Sequence, residues 1–365
     1  MKKILIFGAT GSIGLQTIEI IKNCPNNFKL VGFSFFNNEK VAKKISCDFK
    51  DLKIYSKNKK ILNNVSSYKS LIELSKPDLI VNSIIGFAGI EISLLSVKYK
   101  INLALANKET IIAGGDLFLE DALRAIKIFP IDSEHTALYE LVNQVGLENI
   151  KKLFITASGG KYYNLDDSLI INEDFNKVVK HPIWNMGKRI SLDSSNMINK
   201  FFEIVEAYYY FKKNISALYH PTAVIHAGVQ KKDNGYFFHF SVPDMKYSIG
   251  QALNEFKNHS SLVNELDFSK MNFTLEKIDP NKWVAIKWAN DFIKHKYYAL
   301  PIIVNAIDEE LIKIFKKGKI NYSQITKIID IYVQKYKKTS IDSIDKVITF
   351  DRYMRQLIKK EFFYE

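Results

Sequence analysis

The chain's 365 residues are enough for two or three domains, each with its own core, and a composition of 47% apolar and 25% charged residues excludes an intrinsically disordered polypeptide. The net charge of +13 comes mostly from lysine spread along the chain; arginine, whose planar fork reads bases and phosphates, is scarce, so a nucleic-acid partner is not expected. No apolar run reaches membrane-spanning length, Cys24 and Cys47 form no CxxC pair, and the chain opens directly on strand-like residues, so no membrane partner and a cytoplasmic location are expected.

The first third alternates strands and helices. Ile4–Phe7 is a short apolar strand, a glycine-rich turn follows it, and Ser12–Lys22 has helical apolar spacing. Leu30–Phe35, Asp78–Ser83 and Asn102–Ala106 read as further buried strands, and the polar stretch Lys57–Tyr68 as a surface connection. This alternation predicts an α/β, doubly wound parallel sheet. The middle changes character. Lys152–Thr156, Ala223–Ala227 and Tyr236–Ser241 are strand-like, Asp233-Asn234-Gly235 signals a hairpin, and motif-bearing loops with one helix interrupt them, an α+β pattern. After Gln251 comes a connector, and from about Pro280 the chain is helical, with apolar periodicity in Ser323–Lys337 and Ser340–Glu361.

Gly8-Ala9-Thr10-Gly11-Ser12-Ile13-Gly14 joins the first strand to the first helix. Glycine there allows a tight turn and close backbone approach to a pyrophosphate, whose charge the helix N-terminus receives, so the turn predicts a dinucleotide site. The second strand ends in Phe35-Phe36-Asn37-Asn38, with no carboxylate before Glu39 and with Lys40, Lys43 and Lys44 just after. That favours NADP over NAD, although a solvated lysine face accounts for the lysines equally well. Gly86-Phe87-Ala88-Gly89 and Asn107-Lys108-Glu109 follow later strands and belong at the same end of the sheet; taken alone, the latter reads as a capped helix start.

Asp132-Ser133-Glu134 places two carboxylates at i and i+2, on one side of an extended backbone. Alone this reads as a solvated, acidic strand end. Two such charges are costly together unless protonated, hydrogen-bonded or bridged, and an all-oxygen site suits Mg²⁺ or Mn²⁺. Glu203 is the candidate third ligand. From Asp193 on, the sequence resembles a helix start capped by Ser194 or Ser195, which would suit Ser194, Asn199 and Lys200 to a phosphate; Lys200 and Glu203 share a helix face. His135, His181, His220 and His226 form no zinc spacing, and a satisfied core histidine is the default for His226.

In order and spacing, Gly8–Gly14, Ala106–Glu109, Asp132–His135, Ala157–Gly160, His181–Glu203, His220-Pro221, Pro243–Met245, Leu300-Pro301 and Asn305-Ala306 resemble the 1-deoxy-D-xylulose 5-phosphate reductoisomerase family. The resemblance implies a rearrangement and NADPH-dependent reduction of the sugar phosphate to 2-C-methyl-D-erythritol 4-phosphate, in isoprenoid precursor biosynthesis. It implies one divalent ion, Mg²⁺ or Mn²⁺, per subunit of a homodimer. Asp132, Glu134 and Glu203 would hold the ion. Ser158, Ser194 and Asn199 would bind the substrate phosphate, and Lys108, Ser133 and Lys200 its other oxygens. His181–Lys188 matches a flap whose Trp184 closes over substrate, with Met186 and Gly187 near the nicotinamide, and His220 lies near the substrate. Thr10, Gly11, Ser12, Ile13, Asn37, Asn107, Glu109 and Gly187 would line the cofactor. The implied organisation is a Rossmann-like NADPH domain over 1–131, a catalytic α+β domain over 132–255, a linker over 256–280 and a helical domain over 281–365. Departures from the family pattern are Phe35-Phe36 at the second strand's end, Phe201 in place of a small residue, and Ser241, Lys246 and Ser248 around Pro243–Met245. A metal-free dehydrogenase of the homoserine or sugar-phosphate type, or a non-catalytic nucleotide-binding relative, would share the first domain and need no such carboxylate set.

Overall fold

The computed structural model describes residues 1–58, 62–163, 165, 173–179, 187–257 and 261–363. Its elements fall into two units, and two helices pass from one to the other along the chain.

The first unit comprises Met1–Thr110, Phe118–Thr136 and Asp244–Asn264. Its strands are β1 (Lys2–Phe7), β2 (Phe28–Ser34), β3 (Lys53–Tyr55), β4 (Leu79–Asn82), β5 (Asn102–Leu105) and β6 (Ile128–Pro130). All pair in parallel, in the order β3-β2-β1-β4-β5-β6. Ile4 to Phe7 are wholly buried, as expected of a central strand covered on both faces by helices. The crossovers are α1 (Ser12–Asn23), α2 (Glu39–Asp48), α3 (Tyr68–Ser75), α4 (Ile90–Tyr99) and α5 (Lys108–Ala125). This order reverses direction between β1 and β4, so the loops after those strands flank the crevice where ligands bind in open α/β sheets.

The second unit comprises Ile111–Leu117, Ala137–Pro243 and Glu265–Glu365. A five-stranded sheet has the order β10-β9-β7-β8-β11, from β7 (Ile150–Ala157), β8 (Ile215–Tyr219), β9 (Ile225–Lys231), β10 (Tyr236–Phe240) and β11 (Glu276–Lys277). Only β7 and β8 pair in parallel. The predicted hairpin joins β9 to β10, with Asn234 at φ 68° as the turn requires. Helices α6 (Ser133–Val145), α7 (Phe175–Val178), α8 (Lys188–Ser195) and α9 (Ile198–Phe211) precede β8. The C-terminal helices are α11 (Val284–His295), α12 (Ala299–Lys316), α13 (Tyr322–Tyr336) and α14 (Ile344–Phe363). No described helix is long and apolar enough to cross a membrane.

The compact units divide the chain differently from the expected domains in three places. The segment 244–255, assigned by sequence to the catalytic domain, folds with the first unit: α10 (Met245–Leu253) buries Ile249, Ala252 and Leu253 in the core that holds Ile18 and Ile21 of α1. Lys246, one of the departures, pairs there with Glu19 at 2.6 Å. The 256–280 linker is more than a connector, because Glu276–Lys277 adds strand β11 to the edge of β8. Residues 132–136 close the first unit and do not open the second. Phe201 is fully buried, edge-on to Trp288 with ring centroids 6.1 Å apart, so its bulk is absorbed by the core.

Candidate active-site residues

In the first unit, Gly8 adopts φ 85°, and a Cβ there would lie 2.8 Å from the Ser83 carbonyl oxygen, so the loops after β1 and β4 touch only because this residue is glycine. A Cβ on Gly14 would meet Gly8 O and Ala9 Cα at 2.6 Å. Gly11 begins α1 without a side-chain cap, which leaves the helix N-terminus served by no carboxylate or hydroxyl of its own. Thr10, Gly11, Ser12 and Ile13 therefore sit on the predicted strand–turn–helix. Asn37 lies just beyond β2 and accepts a hydrogen bond from the Asn58 amide.

Asn107 and Glu109 support that loop pair. Asn107 Oδ1 caps α5 by accepting from Thr110 N at 3.0 Å, and its amide donates to Ile84 O, Gly86 O and Glu109 Oε2 at 2.8 to 2.9 Å. Glu109 Oε1 accepts from Gly86 N at 3.0 Å. Both residues are buried, so they shape the loop after β4 as well as standing at its edge. Asn82, which the sequence reading passed over, does the same from inside the sheet, donating to Gly89 O at 2.9 Å. A lone Asn ending the apolar run Leu-Ile-Val was the available signal.

The backbone at Asp132-Ser133-Glu134 is not extended as expected. Ser133 begins α6, and Asp132 behaves as a helix cap: its Oδ1 accepts from His135 N at 3.2 Å and its carbonyl from Thr136 N at 2.9 Å. The turn nonetheless keeps the Asp132 and Glu134 carboxylates close, with oxygens within 4.8 Å. Lys108 Nζ donates to Asp132 Oδ2, His135 Nδ1 meets Oδ1 at 2.7 Å, and Ser133 Oγ donates to Glu134 Oε2 at 2.6 Å. Burial pushes the Asp132 carboxyl up, but the charges of Lys108 and then His135, with their hydrogen bonds, outweigh it and hold the group well below the usual carboxylate range. Asp132 is thus an anion at neutral pH.

In the second unit, four pieces of chain meet at the end of β7. Lys200 Nζ donates to Thr156 O and pairs with Glu203, one turn along α9, while Asn199 Nδ2 donates to Glu203 Oε1 at 2.5 Å. Lys200 and Glu203 are both buried. His220 N donates to Ala157 O at 2.8 Å, which sets it beside Ser158. A Cβ on Gly160 would lie 3.0 Å from Ser195 Cα and 3.2 Å from the Ser194 carbonyl carbon, so the Ser158–Gly160 loop presses on the end of α8.

The expected cap at Ser194 or Ser195 is overturned. Both are the last residues of α8; Ser194 Oγ donates to Ile190 O at 2.8 Å and Ser195 Oγ to Leu192 O at 2.6 Å. The start of α9 is Met197 in the left-handed region, with Asn196 Oδ1 accepting from Ile198 N. Neutral His220 spends both ring nitrogens: Nδ1 donates to Thr274 O at 2.8 Å and Nε2 accepts from Thr222 Oγ1 at 3.0 Å. His226 is a buried core histidine with Nε2 3.2 Å from Ser241 O, as the default reading had it. Gly187 starts α8. His181, Trp184 and Met186 lie outside the described residues.

Comparison with known proteins covers the whole chain. Residues 4–115 match the family profile described as 1-deoxy-D-xylulose 5-phosphate reductoisomerase, and residues 128–211 and 240–357 match two profiles for C-terminal domains of that enzyme. The chain is 41% identical to the 1-deoxy-D-xylulose 5-phosphate reductoisomerase of Malacoplasma penetrans, over 98% of this chain and 94% of that protein. It is 37% identical to that of Treponema denticola, over 90% of this chain and 88% of the relative. A DOX-P reductoisomerase crystallised with NADPH, fosmidomycin and magnesium superposes with a TM-score of 0.86 at 26% identity, covering 99% of this chain and 98% of that one. The Zymomonas mobilis enzyme with NADPH gives 0.87 at 25% identity over 99% of both chains.

Proposed function

This chain belongs to the 1-deoxy-D-xylulose 5-phosphate reductoisomerase family, and from that membership we infer that it converts 1-deoxy-D-xylulose 5-phosphate to 2-C-methyl-D-erythritol 4-phosphate with NADPH and a divalent metal ion. The end-to-end match to curated relatives carries this conclusion. Assignment of residues to roles is our proposal, supported by the local geometry of each unit.

Asp132, Glu134 and Glu203 hold one ion per chain. Three carboxylates with no thiolate or imidazole form a hard donor set that suits Mg²⁺ and serves Mn²⁺ equally. Asp132 is ionised and Glu134 stands beside it, so ligand charge is present before any ion arrives. When bound, the ion supplies Lewis-acid polarisation of the substrate's carbonyl and hydroxyl oxygens, and NADPH supplies the hydride. Lys108 and Lys200, each already against one of these carboxylates, turn their ammonium groups to substrate oxygens and balance charge there. Ser133 Oγ adds a hydrogen bond to the substrate. Ser158, Ser194 and Asn199 take the phosphate, for which the Ser194 proton must leave the Ile190 carbonyl. Thr10, Gly11, Ser12 and Ile13 receive the cofactor pyrophosphate on backbone N–H groups, with Asn37, Asn107, Glu109 and Gly187 along its length. The family resemblance assigns His181 and Trp184 to the substrate.

A homodimer in the cytoplasm completes the proposal. In support, β10 ends its sheet and exposes Tyr236 and Phe237, aromatics that a partner surface would cover. The test follows NADPH absorbance with 1-deoxy-D-xylulose 5-phosphate, with Mg²⁺, with Mn²⁺ and with chelator. Oxidation is expected only with substrate and metal together. Turnover that persists in chelator would favour the metal-free dehydrogenase reading instead.

A further inference from the structure

We propose that Arg189 is a positioning residue for the substrate phosphate: its guanidinium fixes helix α8, and with it Ser194, against the C-terminal helix α12. The inference rests on the reading of Ser194 as a phosphate contact. Helix α8 is eight residues long and has no side-chain cap at Gly187; it is seated by buried Leu192 and by the Ser195 Oγ–Tyr322 Oη hydrogen bond at 2.8 Å, both toward its C-terminal end. Arg189 supplies the restraint on its N-terminal half. Its Nη1 donates to Glu309 Oε1 at 3.0 Å, Nη2 to Asn305 Oδ1 at 2.9 Å and Nε to Asp308 Oδ2 at 3.3 Å, with Asp193 of its own helix 3.4 Å away. Asn305 and Asp308 are wholly buried.

The restraint continues to the last helix. Glu309 Oε2 accepts from Arg355 Nη1 at 2.6 Å, and Arg355 grips Asp351 of its own α14 with two bonds, at 2.7 and 3.0 Å. Arg355 also lies 3.4 Å from Glu310, which Lys313 and Lys359 approach at 2.9 and 3.8 Å. One carboxylate, Glu309, is thus shared by two guanidiniums, and α8, α12 and α14 are tied in sequence. At its C-terminal end α8 abuts Gly160, two residues past Ser158. A helix held by a planar fork near its start and by a glycine loop at its end keeps Ser194 at a set distance from Ser158. Only arginine reaches three separate acceptors on α12 from one position; an ammonium cannot reproduce that fork. A shift of about 1 Å in a positioning element can cost on the order of a hundredfold in catalytic efficiency.

The test measures steady-state kinetics of the full chain and NADPH affinity by fluorescence for Arg189→Met, Arg189→Lys, Arg355→Met and Ser194→Ala. Arg189→Met should raise KM for the sugar phosphate roughly tenfold or more, with kcat within about threefold and NADPH affinity unchanged. Arg189→Lys, which keeps the charge and loses the fork, should show a smaller shift of the same kind, and Arg355→Met a smaller one again. If Arg189→Met does not fold, Arg189→Lys decides: a wild-type KM overturns the proposal. A parallel fall in kcat, substrate affinity and NADPH affinity would reveal a merely structural role and overturns it too. Ser194→Ala separates the two readings. A raised KM there beside normal Arg189 variants removes the positioning role alone, whereas an unchanged KM in Ser194→Ala removes the phosphate reading and this inference with it.

Discussion

The loop after β1 and the cluster at the end of β7 present themselves to ligands with different atoms. At Gly8–Gly14 the groups on offer are backbone amides, and what the sequence must supply is the absence of side chains: a Cβ at Gly8 or Gly14 would stand within 3 Å of main-chain atoms. At Thr156–Gly160, α8 and α9 the groups are side chains, and each is held by another part of the same unit, Lys200 by Thr156 O, Asn199 by Glu203, α8 by Arg189. The first kind of site depends on main-chain clearance at two glycines. The second depends on charge balance among buried residues and fails when one member changes.

The sharpest way to break this comparison is to remove one charge from the second kind of site. Glu203→Gln keeps size and one acceptor oxygen but lacks the anion an ion requires. Turnover should fall about a thousandfold or more, the scale of several kcal/mol of lost Lewis-acid stabilisation, while NADPH affinity stays at wild type. A parallel loss of NADPH affinity would show that the two sites are not separable as described. The converse is Gly14→Ala, whose methyl would lie 2.6 Å from Gly8 O and Ala9 Cα. NADPH affinity, read by fluorescence, should weaken roughly tenfold through overpacking, with Mn²⁺ affinity unchanged.

Smaller changes sharpen the contrast. Asn107→Ala removes the α5 cap and the amide that grips Ile84 and Gly86, so thermal stability should fall by about 1 to 2 kcal/mol, accompanied by weaker NADPH binding. Unchanged NADPH affinity would confine Asn107 to capping. The least effect is expected from His220. Burial pushes its pKa down from 6.5, against an opposing hydrogen bond to Thr274 O. The unfolded chain therefore takes up this proton first as pH falls. The stabilising contribution is complete above pH 6.5 and is lost on descent toward the folded value. Melting temperatures at pH 7.5 and 5.5 should differ less in His220→Gln than in wild type; an equal difference would remove His220 from the acid sensitivity.

What the sequence made legible follows the same division. Glycine spacing between a strand and a helix reports a backbone-built loop directly, and the structure has that loop where Gly8–Gly14 predicts it. Periodicity found the central strands because Ile4–Phe7 and Leu79–Asn82 are buried on both faces. It missed β11, whose two exposed residues carry no pattern, and the return of 244–264 to the first unit, since α10 looks like any amphipathic helix until its partner α1 is known. Local signals also misled. Asp132 resembled a strand end and is a helix cap; Ser194 and Ser195 resembled a cap and end a helix, because the left-handed Met197 starts a new one. Arg189 was invisible as a functional residue, since its acceptors lie more than a hundred positions away.

Binding of Mn²⁺, counted by the loss of its free electron-spin resonance signal, addresses the metal site without relying on turnover. One ion per chain is expected in the native protein, and Asp132→Asn and Glu203→Gln should each lose it. Native affinity and stoichiometry in Glu203→Gln would contradict a shared ion.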